Sequence, residues 1–466
     1  MYFNVILFYM SNRSMKKITG SSSALLYSSI MKAIPENSKD RVIMLFILII
    51  LLLIIVLVVL NSLKLTIYQQ INHVKKIIYF GETCDLENNM VSKDYALGYQ
   101  LAFSWMNRNG GVNGYIIKLI LLNDRYEADE ATKNGKLLVD YYDVLGIVGT
   151  FGTNTTMAIL KNVIGDRLIP LIGPFTGSPA IRSIFNEFIV TTSPSVYPEL
   201  DLMVESLVQN SYQNIAILYQ NDPYGLYSYN ALVDYILKKG VNINIVSVGT
   251  YQRNSDDLDA SIGGLFDKKY PYNYTDYDPK KLKKIQAIVV YTIDKKIDII
   301  LSRLKKINPD VAIYYNAYIG TRSSNVASLK HESKTNIYQT LIELPDLEDY
   351  PELNTMLDSE IVEYNKDKSH INHIMEKSSC IIHGFYSGLM ICKVLQNFKN
   401  MKELNRKTFM EMFYKMKTID VYGFKMGPLV VGKNNEAVKY AILRKLQDDL
   451  TFRTVKELQI DDFRRK

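Results

Sequence analysis

From Lys75 onward, short apolar runs alternate with longer stretches of helical periodicity, the pattern of a parallel sheet with helical crossovers. The runs predict ten strands, at Ile77–Phe80, Ile116–Leu122, Leu145–Gly149, Leu168–Ile172, Phe188–Thr192, Ile215–Tyr219, Ile243–Val248, Ile285–Tyr291, Val311–Tyr315 and Ile337–Leu344. Between them, Tyr95–Asn107 places Tyr95, Gly98, Ala102 and Trp105 on one helical face, and Asn109-Gly110-Gly111 stops that helix. Asp201–Gln209 and Leu226–Lys238 read the same way. Lys268–Lys281 is polar, tyrosine-rich and broken by proline, and reads as an inserted surface loop.

A different pattern precedes the alternation. Val42–Leu60 is a run of nineteen apolar residues with neither charge nor helix breaker. As a helix it covers about 28 Å, close to the hydrocarbon thickness of a bilayer. It follows a polar, basic leader, which favours a retained anchor over a cleaved signal. Arg13, Lys16, Lys17, Lys32, Lys39 and Arg41 precede the run, whereas only Lys64, Lys75 and Lys76 closely follow it. The positive-inside rule then keeps residues 1–41 cytoplasmic and places everything after Leu60, beginning with a 61–74 linker, outside or in a lumen. The expectation is a single-pass membrane protein whose C-terminal domain is extracellular or lumenal.

Charge and cysteines narrow the class further. The net charge of +7 is concentrated in the first sixty residues, which hold six Lys/Arg against two Asp/Glu. The remainder is nearly balanced, at 49 basic and 46 acidic residues, so no electrostatic nucleic-acid face is expected. Cys84, Cys380 and Cys392 form no CxxC pair and have no histidine at zinc-ligand spacing. Cys380 and Cys392 fall on one predicted helix, about 18 Å apart along its axis, too far to bridge. Buried thiols are expected for all three. His370 and His373 near Glu376 read as a solvated helix face rather than a metal pair. No metal, cofactor or catalytic residue is predicted, and the chain is read as not an enzyme. It has no GxSxG, HExxH, P-loop or dinucleotide fingerprint.

In a doubly wound sheet, ligands lie beyond the carboxyl ends of the strands, where loops feed helix N-termini. There the free N–H groups favour an anion such as a carboxylate. The loop after the third strand offers Thr153, Thr155 and Thr156 beside Gly149 and Gly152, and one of these threonines is explained by helix capping alone. The loop after the fourth strand, GPFTGSPAIR from Gly173 to Arg182, offers Phe175, Thr176, Gly177 and Ser178, although PFTGSP is also a good turn by itself.

These loops carry a resemblance. Taken in order, NRNGGVNGYIIKLILLNDRYEADEATKNGKLL (Asn107–Leu138), GIVGTFGTNTTMA (Gly146–Ala158), GPFTGSPAIR and ILYQNDPYGLYSYNAL (Ile217–Leu232) look like the type I periplasmic binding proteins of the leucine and branched-chain amino-acid receptor class. The resemblance implies two α/β lobes that close on a small molecule about three linkers, with residues 75–193 and 346–425 in lobe one and 194–345 and 426–466 in lobe two. It implies that Phe175, Thr176, Gly177 and Ser178 meet the ligand's amino group. Asp222 and Tyr224 would reach in from a QDDxYG-like loop, Tyr291 would take the place of a cleft tyrosine, and Tyr318 or Arg322 would come from the loop after Val311–Tyr315. The sequence departs from leucine-type receptors at that last loop. Between Val311 and Lys330 it holds no acidic residue to pair with a ligand ammonium. Unless Asp222 substitutes for that acid, the departure speaks against a standard α-amino acid and for a carboxylate, amide or other anionic ligand, within an expected class that is amino-acid-like or a carboxylate.

The function expected is a membrane-anchored solute-binding receptor, with Val42–Leu60 meeting the membrane and a separate transporter or signalling partner reading lobe closure. The other readings are a ligand-independent adhesion or scaffold ectodomain on the same fold, and an exported α/β enzyme. Dimerisation through lobe one is left open by the sequence. Sequons stand at Asn154 and Asn273; a glycan on Asn154 would obstruct the cleft, so that site is expected to be unused.

Overall fold

The computed structural model describes residue 43, residues 46–60 and residues 76–458, apart from 166, 183–184, 253–254, 256–257, 267–279, 281–283, 293–296, 317–335, 342–346, 368–373 and 375. Tyr318, Arg322, Asn273, His370 and His373 lie outside the described residues. The chain divides into two compact units, Met1–Lys75 and Lys76–Lys466. In the first unit, residues 46–60 are helical and their apolar side chains are exposed. The expected membrane span extends beyond them to residues 42, 44 and 45, which are not described. Among the described residues no helix is long and apolar enough to cross a membrane.

The second unit is built on two sheets. Strands β1 (Ile77–Cys84), β2 (Ile116–Asn123), β3 (Gly146–Val148), β4 (Leu171–Ile172) and β5 (Ile189–Val190) form a parallel sheet in the order β2-β1-β3-β4-β5. Strands β6 (Asn214–Gln220), β7 (Asn244–Tyr251), β8 (Ala287–Tyr291), β9 (Ala312–Asn316) and β10 (Ile337–Leu341) form the parallel part of the second. A short hairpin, β11 (Ile419–Val421) and β12 (Phe424–Met426), stands apart. Then β13 (Ala441–Leu446) and β14 (Phe452–Leu458) join the second sheet antiparallel, giving β14-β13-β10-β9-β8-β6-β7. Strands β8, β9 and β10 are buried along their whole length, which is why they read as continuous apolar runs rather than alternating ones.

Seven helices matter to the site: α1 (Met90–Arg108), α2 (Thr153–Ile159), α3 (Val196–Gln209), α4 (Pro223–Lys239), α5 (Pro351–Lys366), α6 (Ser379–Gln396) and α7 (Arg406–Met416). The core of the first sheet gathers side chains from α1, α5, α6 and α7, so the chain returns to it after β10. Helices α1 and α6 touch backbone to backbone through glycines. A Cβ at Gly98 would lie 2.3 Å from the Ile381 carbonyl oxygen, and one at Gly384 would lie 2.1 Å from that of Tyr95. The expected helical face of Tyr95, Gly98 and Ala102 is buried there, while Trp105 is only half-buried and meets Tyr422 edge-on. All three cysteines are free and buried.

The chain passes between the sheets three times: after β5, after β10 and before β13. Two crossings are stitched together. Thr191 donates its N–H to the Asn435 carbonyl at 3.0 Å, and Ala437 donates to the Thr191 carbonyl at 2.8 Å. Arg182 ties this pair to the loop after β4. Its guanidinium pairs with Glu436 at 3.0 Å and donates to the carbonyls of Ser193 (2.6 Å), Thr176 (2.8 Å) and Ser178 (3.2 Å). A delocalised, rigid fork is suited to collecting several carbonyls at once.

Candidate functional site

The carboxyl ends of the first sheet carry two glycine-hinged loops. Gly149 and Gly173 both sit at φ +64°. A Cβ on Gly149 would meet Glu82 Oε1 at 2.6 Å, and one on Gly173 would meet the Tyr99 hydroxyl at 2.1 Å. Only glycine allows both the left-handed backbone and this close approach. Beneath the loops, Tyr95 donates to the Gly173 carbonyl at 2.8 Å. Burial pushes the Tyr95 phenol up to about 12, so it stays a neutral donor.

The predicted hydroxyls meet one another. Thr153 begins α2, and its Oγ1 lies 2.8 Å from that of Thr176. The Thr176 Oγ1 also accepts from the Ser178 N–H at 3.1 Å. Thr155 donates back to the carbonyl of Phe151, just before its helix begins. Thr150 and Thr156 pair at 3.0 Å. Ser178 caps the turn at Pro179–Ile181, accepting from the Ala180 N–H at 3.3 Å. Gly177 accepts at its carbonyl from the N–H of Val196, the first residue of α3, at 3.0 Å. The loop after β4 is therefore fastened to the helix that opens the second lobe.

Phe175 stands between the lobes. Its ring stacks on Phe151 at 5.3 Å with 9° between planes, and tilts against Tyr95 at 4.7 Å. His383 meets it edge-on at 5.4 Å; burial holds that imidazole neutral, with its pKa lowered to about 4. Phe175 also packs against the apolar core of the second sheet.

From the second sheet, Asp222 caps α4, accepting from the Gly225 N–H at 2.9 Å, and its other oxygen takes the Gln220 amide. Tyr224 is buried in the first turn of α4. Tyr291 ends β8, fully buried, and its hydroxyl has no hydrogen-bond partner.

Sequence reasoning passed over the groups around Tyr291. Register sets Tyr219 beside Tyr291 and Thr340 beside Asn316, and Val290 beside Tyr315 brings Tyr291 and Asn316 together. The four form one row across β6, β8, β9 and β10, on the face covered by α3. Glu199, in the first turn of α3, reaches this row: its Oε2 accepts from the Thr340 hydroxyl at 2.8 Å. Its Oε1 and the Asn316 Nδ2 are buried without partners. Burial pushes the Glu199 carboxyl up to about 8, only partly offset by the Thr340 bond. In the first lobe Glu82 is likewise fully buried, raised well above the carboxylate range first by burial and further by Asp124. One signal was legible: Glu199 falls on the apolar stripe Val196, Leu200, Met203 and Leu207 of α3, where an acid is out of place.

Among the described residues no cluster of His, Cys, Asp and Glu could hold a metal ion. The loops and the row gather hydroxyls, aromatic rings and two buried carboxyls raised by desolvation, Glu199 and Glu82.

A family model described as periplasmic binding protein matches residues 87–263. No curated protein matches the sequence. Among solved structures, a possible leucine/isoleucine/valine-binding protein from Rhodopirellula baltica is 18% identical with a TM-score of 0.65, covering 82% of this chain and 97% of its own. A branched-chain amino acid transporter substrate-binding protein from Streptococcus pneumoniae, solved with isoleucine, is 16% identical with a TM-score of 0.62, covering 83% and 99%. A fatty acid ABC transporter substrate-binding protein from Thermomonospora curvata is 16% identical with a TM-score of 0.61, covering 82% and 92%. In sequence over residues 87–263, and in fold beyond them, the chain is similar to the type I periplasmic binding proteins of the leucine and branched-chain amino-acid class.

Proposed function

We propose that this protein is a solute-binding receptor that closes its two lobes on a small amino-acid-like or carboxylate ligand. The observation that carries the reading is convergence. The carboxyl ends of the parallel strands of two sheets, joined by three crossings, present a hydroxyl-lined loop at Thr153 and Thr176 and a tyrosine-bearing row at Tyr291. Closure needs contacts made in one state and not the other, and Phe175, packed against both cores, is a side chain placed to make such a contact. The relatives named for leucine-type and fatty-acid substrates bracket the ligand class, since both substrates carry a carboxylate. As in a substrate-binding protein of an ABC transporter, a separate membrane partner would read the closure. We further propose that Val42–Leu60 anchors the domain in a membrane with the N-terminus cytoplasmic, and that the protein performs no catalysis.

A ligand-independent scaffold is the second reading, favoured by one feature: the Thr153 and Thr176 hydroxyls already bond each other. A thermal-shift screen of the full chain against amino acids, their amides and small carboxylates separates the two. The receptor reading expects a saturable rise in melting temperature that Thr176→Ala or Ser178→Ala weakens. A flat response from folded protein across the panel would leave the scaffold.

A further inference from the structure

Glu199 is an acid where no acid is needed for folding. It sits on the apolar side of α3, its Oε1 unpartnered, over a row that also leaves the Tyr291 hydroxyl and the Asn316 amide nitrogen unpartnered. Three polar atoms of complementary kind, buried together at the carboxyl ends of adjacent strands, are a costly arrangement unless something completes them. The row lies at the site edge of the sheet, and α3 is tied through Val196 to the Gly177 carbonyl of the opposing loop. From Val311 to Lys330 the sequence holds no Asp or Glu, so the segment that follows β9 supplies no acid of its own.

We infer that Glu199, with Tyr291 and Asn316 beside it, is the second-lobe subsite for a cationic amino group on the ligand, and that it gives up a proton when that group arrives. The inference rests on the receptor reading above and makes its ligand a primary amine. In the empty protein Glu199 is mostly protonated near neutral pH, because burial holds its carboxyl at about 8. An ammonium beside it stabilises the carboxylate and lowers that value, so the proton leaves to solvent as the ion pair forms. Tyr291 on β8 and Thr340 on β10 are the groups that face the carboxyl. The charged residues further along α3 are paired elsewhere: Asp201 with Lys239 and Tyr235 of α4, and Glu205 with Lys456 of β14. On β13, Lys445 lies over the Tyr338 ring at 5.4 Å.

The test is isothermal titration calorimetry of the full chain with isoleucine, leucine and their desamino acids, in two buffers of different ionisation enthalpy. Expected are release of close to one proton per amino acid bound near neutral pH, none for the desamino acids, and affinity for amino acids that rises with pH until about 8. Glu199→Gln, which keeps shape and imitates the protonated form, should remove the release and weaken amino-acid binding about ten- to a hundredfold, leaving the desamino acids unchanged. Tyr291→Phe, a milder change, should weaken amino acids selectively. Amino-acid binding without proton release, or an unchanged preference in Glu199→Gln, overturns this inference and leaves the receptor reading intact. Binding of the desamino acids alone also overturns it. No binding by any of the four compounds overturns this inference, and the receptor reading falls with it only if the wider panel of amino acids, amides and small carboxylates is also flat.

Discussion

The two sheet edges that face each other are built on opposite terms. At the first, the loop hydroxyls of Thr153, Thr176, Thr155 and Ser178 are engaged with one another or with the nearby backbone, and the exception is Glu82 beneath Gly149, whose two oxygens are buried without a hydrogen-bond partner. At the second, Glu199 Oε1, the Tyr291 hydroxyl and Asn316 Nδ2 lack partners. A satisfied network holds its geometry without help, whereas an unsatisfied one bears the cost of every missing bond until something supplies it. The first edge is thus a preformed platform, and the second is the half whose energy a ligand can change most. Arg182 belongs with the platform, holding the Thr176 and Ser178 carbonyls against the stitched crossings.

If the first edge is rigid because glycine lets its loops lie on the tyrosines, Gly173→Ala should do the greatest damage. The new Cβ would collide with the Tyr99 hydroxyl at a left-handed backbone position. A loss of about 4 kcal/mol is expected from strain and overpacking together, measured by chemical denaturation; a near-neutral result would remove the platform from the comparison. Arg182→Met should cost somewhat less, about 3 kcal/mol, since it strands Glu436 and three carbonyls. Protease nicking at the crossings should rise with it, and an unchanged digestion pattern would count against the stitch.

The smallest expected effect sharpens the second half of the comparison. A carboxyl raised in the folded state binds its proton more tightly there than in the unfolded chain, so its contribution is complete at low pH and lost as pH climbs to the folded value. For Glu199 that loss ends near pH 8. His383 works the other way, because its lowered imidazole destabilises the fold only below its ordinary value of 6.5. Between pH 6.5 and 8 the raised Glu199 carboxyl should account for a decline of about 2 kcal/mol, opposed toward the upper end by Lys305, which burial lowers to about 8. In unliganded Glu199→Gln, denaturation across that window should show a clearly shallower decline, because the Glu199 contribution is gone while the opposing one of Lys305, lowered to about 8 by burial, remains. A slope unchanged from the parent would mean that Glu199 is ionised in the fold.

All ten strands expected from apolar runs are present, with ends that differ by a few residues. At Leu168–Ile172 the ladder takes only Leu171–Ile172. The run was visible because parallel strands covered on both faces must be apolar throughout. β13 and β14 were not expected. Lys445 and Arg444 interrupt β13, and the charges of β14 mark it as an edge, a position that pairing decides and composition does not. Thr153, Thr176 and Ser178 could be placed in their loops because a helix start after a strand is a local event. Their mutual bonding could not, since Thr153 and Thr176 come from different loops.

By itself the sequence determined the alternation of strand and helix, the glycine-hinged loops at the carboxyl ends, and the burial of the cysteines. Each depends on neighbours a few residues away, where periodicity and backbone sterics act. Only the tertiary structure decided that Glu199 lies over Tyr291, Asn316 and Thr340, four residues from four separate segments. Register across β8, β9 and β10 sets that meeting, and register is a property of the assembled sheet. The burial that holds the Glu199 proton arises at the same step, because a carboxyl loses its water only when the helix closes over the sheet.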